Sequence, residues 1–111
     1  MLKSPKRKGS KLERWVAAEL EKLGFRSHRV PGSGAFEGMP GDVRLALPDG
    51  QVLIECKHWR FGWRTGDSAL KECDLLVIKR DFGEPAVYMP WKFFERLMNL
   101  AKAEEAARKI A

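Results

Sequence analysis

The 111-residue sequence predicts an α/β domain in which a central mixed β-sheet is flanked by helices, in the order α-β-β-β-α-β-β-α. Three observations lead there. An amphipathic stretch opens the chain, two alternating strands flank an Asp-Gly turn, and an unbroken apolar run in the second half reads as a buried central strand. The length supports one hydrophobic core and not two. With 44% hydrophobic and 32% charged residues, the chain resembles an ordinary folded protein rather than a disordered or fibrous one.

The first helix is expected over residues 10–23. Ser10, with Glu13 three residues on, reads as a capping box, Leu12, Val16, Leu20 and Leu23 form one stripe, and Gly24 is the stop. A short strand over 25–30 follows, and Pro31-Gly32-Ser33-Gly34 opens a Gly-rich loop that runs to about Gly41. Residues 42–47 and 51–57 pair as a hairpin around Pro48-Asp49-Gly50, because Asp-Gly suits a type I′ turn that needs φ > 0. After an aromatic and basic stretch over 58–64, a short helix over 67–72 leads into a strand over 74–80. There, Leu75-Leu76-Val77-Ile78 has the continuous apolar character of a strand buried on both faces. Phe82-Gly83-Glu84-Pro85 turns the chain into a strand over 86–89, and Pro90 fits the first position of a final helix. That helix runs to about residue 109 with Phe93, Phe94, Leu97, Leu100 and Ala101 on an apolar face, and its part over 102–109 is expected to project beyond the core.

Twenty-one Lys and Arg against fifteen Asp and Glu give a net charge of +6, which favours a polyanionic partner such as nucleic acid. Lys3, Lys6, Arg7, Lys8, Lys11 and Arg14 concentrate this bias at the start, so residues 1–9 are expected as a basic arm before a single domain over 10–111. Cys56 and Cys73 form no CxxC pair, which argues against a zinc ribbon or a disulfide framework and suits a reducing compartment. The sequence has no signal-peptide pattern and no window near the roughly 20 apolar residues of a membrane span. A soluble cytoplasmic protein without a membrane partner is expected.

The hairpin gathers the residues that carry chemistry. With Asp49-Gly50 as a two-residue turn, Asp42 faces Lys57 and Arg44 faces Glu55, so Asp42, Glu55 and Lys57 share one face. Two carboxylates and an amine held together suit a hard divalent cation, Mg²⁺ with Mn²⁺ as a substitute, and the backbone carbonyl of Cys56 offers a further oxygen ligand. Such an ion polarises a phosphoryl oxygen and lowers the pKa of an attacking water. Lys57 would orient or deprotonate that water and neutralise growing charge, which implies phosphodiester hydrolysis. A Glu-x-Lys on a strand also fits an exposed face with cross-strand ion pairs. The Gly-rich loop before Asp42, the apolar Val52-Leu53-Ile54 and the basic chain favour the site.

With Pro40-Gly41-Asp42 followed by Glu55-Cys56-Lys57, the chain resembles the PD-(D/E)xK nuclease superfamily, whose core is restriction-endonuclease-like. Lys8-Gly9-Ser10-Lys11-Leu12-Glu13-Arg14 and Arg29-Val30-Pro31-Gly32-Ser33-Gly34 are similar, more specifically, to the N-terminal elements of archaeal-type Holliday junction resolvases, which phages also carry. The likeness spans roughly residues 8–80. It implies a Mg²⁺-dependent endonuclease acting on four-way junctions in DNA recombination and repair, and a homodimer that presents two active sites to opposed strands. By position it makes Glu13 a further catalytic and metal-binding carboxylate and Ser33 a catalytic-loop residue beside Asp42, Glu55 and Lys57. It makes Arg14 and Arg29 phosphate ligands, and Lys8 and Lys11 lie on the same basic segment. Glu13 also fits a plain capping role. Arg60 and Arg64 alternate with Trp59, Phe61 and Trp63, a composition that suits stacking on exposed bases and pairing with phosphates, or equally anchors a loop or a dimer interface. His58 reads as structural or exposed rather than as a ligand. Two other activities stay open: a nuclease of the same superfamily acting on flaps, single strands or ends, and a non-catalytic basic nucleic-acid-binding module.

Overall fold

The computed structural model describes residues 5–29, 43–59, 70 and 73–110, with the backbone alone at 5–10 and 59. Its elements are α1 (Pro5–Lys22), β1 (Ser27–Arg29), β2 (Val43–Leu47), β3 (Gly50–Trp59), β4 (Leu75–Arg80), β5 (Ala86–Tyr88) and α2 (Trp91–Ile110). The strands lie side by side in sequence order as one five-stranded sheet, antiparallel except for the parallel β3–β4 pair. The result is the mixed sheet flanked by helices that the sequence predicts. A parallel pair demands a crossover between its strands. The helix expected over 67–72 falls in that connection, outside the described residues, as does the loop expected over 31–41.

Helix α1 starts five residues before its expected cap. Pro5 is its first residue, where a missing N–H is harmless, so Ser10 lies inside the helix and the capping box is not formed. Residues 5–9, expected within the arm, are helical. The C-terminus follows the expected rule: Gly24 has φ 92°, its N–H donates to Glu21 O at 2.9 Å, and Phe25 N–H donates to Leu20 O at 3.0 Å. This pattern of a left-handed glycine with nested bonds caps the last carbonyls. Beyond the last turn, Leu23 is exposed rather than part of the buried stripe.

The hairpin is real and its register differs from the expected one. Val43 pairs with Ile54, Leu45 with Val52 and Leu47 with Gly50, so the two turn residues are Pro48 and Asp49, and Gly50 opens β3 with φ 142°. Arg44 therefore faces Leu53, not Glu55. Glycine's positive φ is used here, one position later than expected. Strand β3 also continues through His58 and Trp59, which the sequence placed in the aromatic and basic stretch after the strand.

The core lies between α1 and the sheet. Leu12 and Val16 of α1 join Val43, Leu45, Val52, Ile54, Cys56, Leu75, Val77 and Phe93 in one buried cluster. Ser27 and Arg29, in register with Leu45 and Val43, also reach α1, which identifies the odd β1 positions and the even β3 positions as its side of the sheet. Alternation then sends Leu53, Glu55 and Lys57 to the other side, with their β4 partners Leu76 and Ile78, which are both fully buried.

Helix α2 buries only Phe93. Leu97 packs partly against the core, whereas Phe94 and residues 101–110 are exposed. The helix is tied to the hairpin by Arg96, which donates to Asp49 Oδ2 at 2.7 Å and to Oδ1 at 2.8 Å and stacks over the Phe93 ring at 5.5 Å. This fork-to-carboxylate pairing holds the Asp49 carboxyl below its ordinary pKa and raises Arg96 above its own.

Candidate active site

Glu55 and Lys57 stand two residues apart on β3 and therefore on one face. Lys57 Nζ lies 3.3 Å from Glu55 Oε1, with the lysine side chain 45% exposed and the glutamate 20%. The second carboxylate oxygen, Oε2, accepts from the Cys73 thiol at 3.5 Å. Leu76 and Ile78 flank the pair on β4. Their apolar wall lowers the local dielectric and strengthens each polar contact made beside it.

A neighbouring contact sets this geometry. Asp74 Oδ2 accepts the Leu53 N–H at 2.7 Å, and the Asp74 N–H donates to Leu53 O at 2.9 Å. The two bonds clamp the start of β4 to β3 two residues before Glu55, which brings Cys73 to the Glu55 carboxylate. Neither Cys73 nor Asp74 stands out in the sequence: their role depends on a parallel pairing between segments some 20 residues apart.

Glu13 lies on the other side of the sheet. It is only 7% exposed and, eight residues into α1, is far past any capping position. Its Oε2 accepts from Arg29 Nε at 3.3 Å and Nη2 at 3.0 Å. Arg29, a phosphate ligand by resemblance, is thus engaged by a carboxylate of its own chain. Glu13 approaches the sheet from the α1 side and Glu55 leaves it on the opposite one. Among the described residues no three His, Cys, Asp or Glu side chains gather as a metal cluster.

Ser33, Asp42, Arg60 and Arg64 lie outside the described residues, and of Lys8 only the helical backbone is described. Lys11 and Arg14 are exposed on α1. The Cys56 side chain is buried on the α1 side and is not in a disulfide. His58 is neither exposed nor isolated: its Nδ1 stands 3.6 Å from Asp81 Oδ1, and both side chains are largely buried. No described helix is long and apolar enough to cross a membrane.

A mixed sheet with an amphipathic helix on one side and a Glu-x-Lys pair on its central strand defines the class: a nuclease fold of the PD-(D/E)xK type. A family model described as "Phage putative PDDEXK endonuclease" matches residues 4–75, a span that contains α1 to β3 and ends at Leu75, the first residue of β4. The chain belongs to this phage endonuclease family. No curated protein and no solved structure matches the chain. Nucleases of this superfamily generally use divalent metals.

Proposed function

We propose that this endonuclease is a Holliday junction resolvase, a homodimer that hydrolyses phosphodiester bonds near four-way DNA junctions with Mg²⁺, or Mn²⁺ in its place. The observation that carries the reading is the Glu55–Lys57 pair, a carboxylate and an amine held on one face of the central strand beside an apolar wall. Glu55 offers the hard oxygen donors that such an ion prefers. Asp42 and the Cys56 carbonyl are proposed to complete the set, and Glu13, paired with Arg29 on the α1 side of the sheet, is not part of it. The bound ion supplies polarisation of a phosphoryl oxygen and acidification of a water. Lys57 places its ammonium beside Glu55, where it neutralises charge growing on the phosphate and orients the attacking water. Ser33 belongs to the catalytic loop of this proposal. Lys8, Lys11, Arg14, Arg60 and Arg64 are its DNA contacts, in phage DNA recombination or repair within the host cytoplasm, whereas Arg29, paired with Glu13, is not among them.

A second reading keeps the chemistry and changes the substrate to flaps, single strands or ends. The discriminating experiment is cleavage of a labelled four-way junction, a flap and a linear duplex with Mg²⁺, Mn²⁺ or EDTA, mapped on every strand. Paired symmetric nicks at the junction are expected, abolished in Glu55→Gln and Lys57→Ala with binding retained. Equal cutting of the linear duplex contradicts the resolvase assignment. Binding without cleavage under either metal would leave only a basic nucleic-acid-binding module.

A further inference from the structure

Phe82, at the turn between β4 and β5, has a backbone φ of 60° and a fully exposed ring. It is the one non-glycine residue with positive φ among the described residues. Glycine and asparagine adopt this left-handed conformation readily, whereas a bulky side chain there is strained. Gly83 stands next in the chain but does not occupy the left-handed position. Neither backbone preference nor burial therefore favours an aromatic residue at 82, and its ring finds no core to enter.

The turn presenting it is braced. The Gly83 N–H donates to Arg80 O at 3.0 Å, and the Lys79 ammonium donates to Gly83 O at 2.7 Å and to Arg80 O at 3.1 Å. One lysine thus ties both sides of the tip, so the ring projects from a fixed base. The tip continues β4 from Ile78, the register partner of Lys57, at the end of the sheet toward which β3 and β4 both run. Four residues of strand rise span at most about 13 Å, roughly four nucleotide steps along a DNA strand. Arg80 is exposed at the base of the turn.

We propose that Phe82 is a wedge that unstacks a base step of DNA engaged at Glu55 and Lys57, and that this contact helps to select distorted or branched DNA. The inference rests on the nuclease reading for its partner and on the turn geometry for its site. An aromatic ring on a rigid, strained tip suits insertion between bases, since insertion needs a side chain already displayed and not one drawn from a core.

The test uses the full chain without divalent metal, so that DNA is bound and not cut. A four-way junction carries single 2-aminopurine substitutions within four nucleotides of its centre, and an unbranched duplex serves as comparison. The native protein is expected to raise 2-aminopurine fluorescence at one or two junction positions. Phe82→Ala should abolish that rise and weaken junction binding roughly 5- to 150-fold, the range for loss of one base-stacking contact. Phe82→Asn should abolish the rise as well, while increasing the folding equilibrium constant about fivefold by relieving the backbone. A merely structural Phe82 would move stability and leave fluorescence untouched. Native fluorescence and affinity in Phe82→Ala overturn the wedge while leaving the nuclease reading intact. In a parallel arm with Mg²⁺ or Mn²⁺ restored, absence of cleavage by the native protein on both the junction and the duplex counts against the nuclease reading itself.

Discussion

Arg29 is the sharpest point at which a nucleic-acid role and a structural role can be told apart, and Arg29→Gln is the perturbation. Two guanidinium N–H groups reach one oxygen of Glu13 at 3.3 and 3.0 Å, with the glutamate side chain 9% and the arginine 38% exposed. Unit charges at this spacing attract by roughly 5 kcal/mol at an effective dielectric of about 20. Desolvation of the carboxylate offsets most of that, and hydrogen bonds to charged groups retain about 1.5–3 kcal/mol net. The arginine's exposure places the expected loss at the low end, about 1.5 kcal/mol. For a chain of this size that is a fall of roughly 6 °C in Tm, with a matching shift of the urea midpoint. Glu13→Gln/Arg29→Gln should recover part of it, because the buried charge disappears with its partner. DNA binding provides the contrast. A lysine that touches phosphate, as proposed for Lys11, contributes about 0.9 to the slope of log K against log salt, and Lys11→Gln should remove that amount. Arg29→Gln should change the slope by much less. An unchanged Tm together with a full-sized loss of slope in Arg29→Gln would refute the reasoning and return Arg29 to the DNA.

Two further outcomes follow from the polar ties on the sheet. Arg96 holds the folded Asp49 carboxyl below its unfolded pKa, so the stability from this pair is present above about pH 4 and is lost as pH falls through the folded value. Urea unfolding at pH 7 and pH 3 should show a smaller acid-induced loss in Asp49→Asn than in the native chain, and an equal loss would exclude the pair as a contributor. Asp74→Ala should cost about 1–3 kcal/mol, since the Leu53 N–H loses its 2.7 Å acceptor, and the Leu53 amide should exchange faster with solvent. Unchanged protection at Leu53 would show that another group holds the start of β4.

Features of the fold that depend on local chemistry were legible in the sequence. Leu75-Leu76-Val77-Ile78 forms the buried strand its composition suggests, and Gly24 takes the left-handed position that ends α1. The start of α1 was misread because Ser10-Lys11-Leu12-Glu13 carries a capping-box pattern within a helix that Pro5 had already begun. Ties between distant segments were not legible. Asp49 is a good turn residue on its own account, and only tertiary structure shows Arg96 reaching it from α2. Cys73 and Asp74 acquire their positions from the parallel β3–β4 register, which neither segment specifies alone. Phe82 reads as an ordinary turn residue, and its backbone angle has no signature in the sequence.

The shared face of Glu55 and Lys57 survives a hairpin register other than the expected one because of parity. Moving the turn from Asp49-Gly50 to Pro48-Asp49 slides the pairing by two residues, and a strand's side chains repeat every two. Arg44 exchanges Glu55 for Leu53 as its partner, yet no residue of β3 changes face. A slip of one would have turned Glu55 and Lys57 into the core against Leu12 and Val16 and sent Val52, Ile54 and Cys56 to the other face. Burial of those three residues opposes that slip: Val52 and Ile54 each represent about 1.5–3 kcal/mol of transfer free energy. The hydrophobic side of β3 therefore dictates where its polar side stands. Glu55 and Lys57 are held on one face by Val52, Ile54 and Cys56, whose side chains take no part in the chemistry.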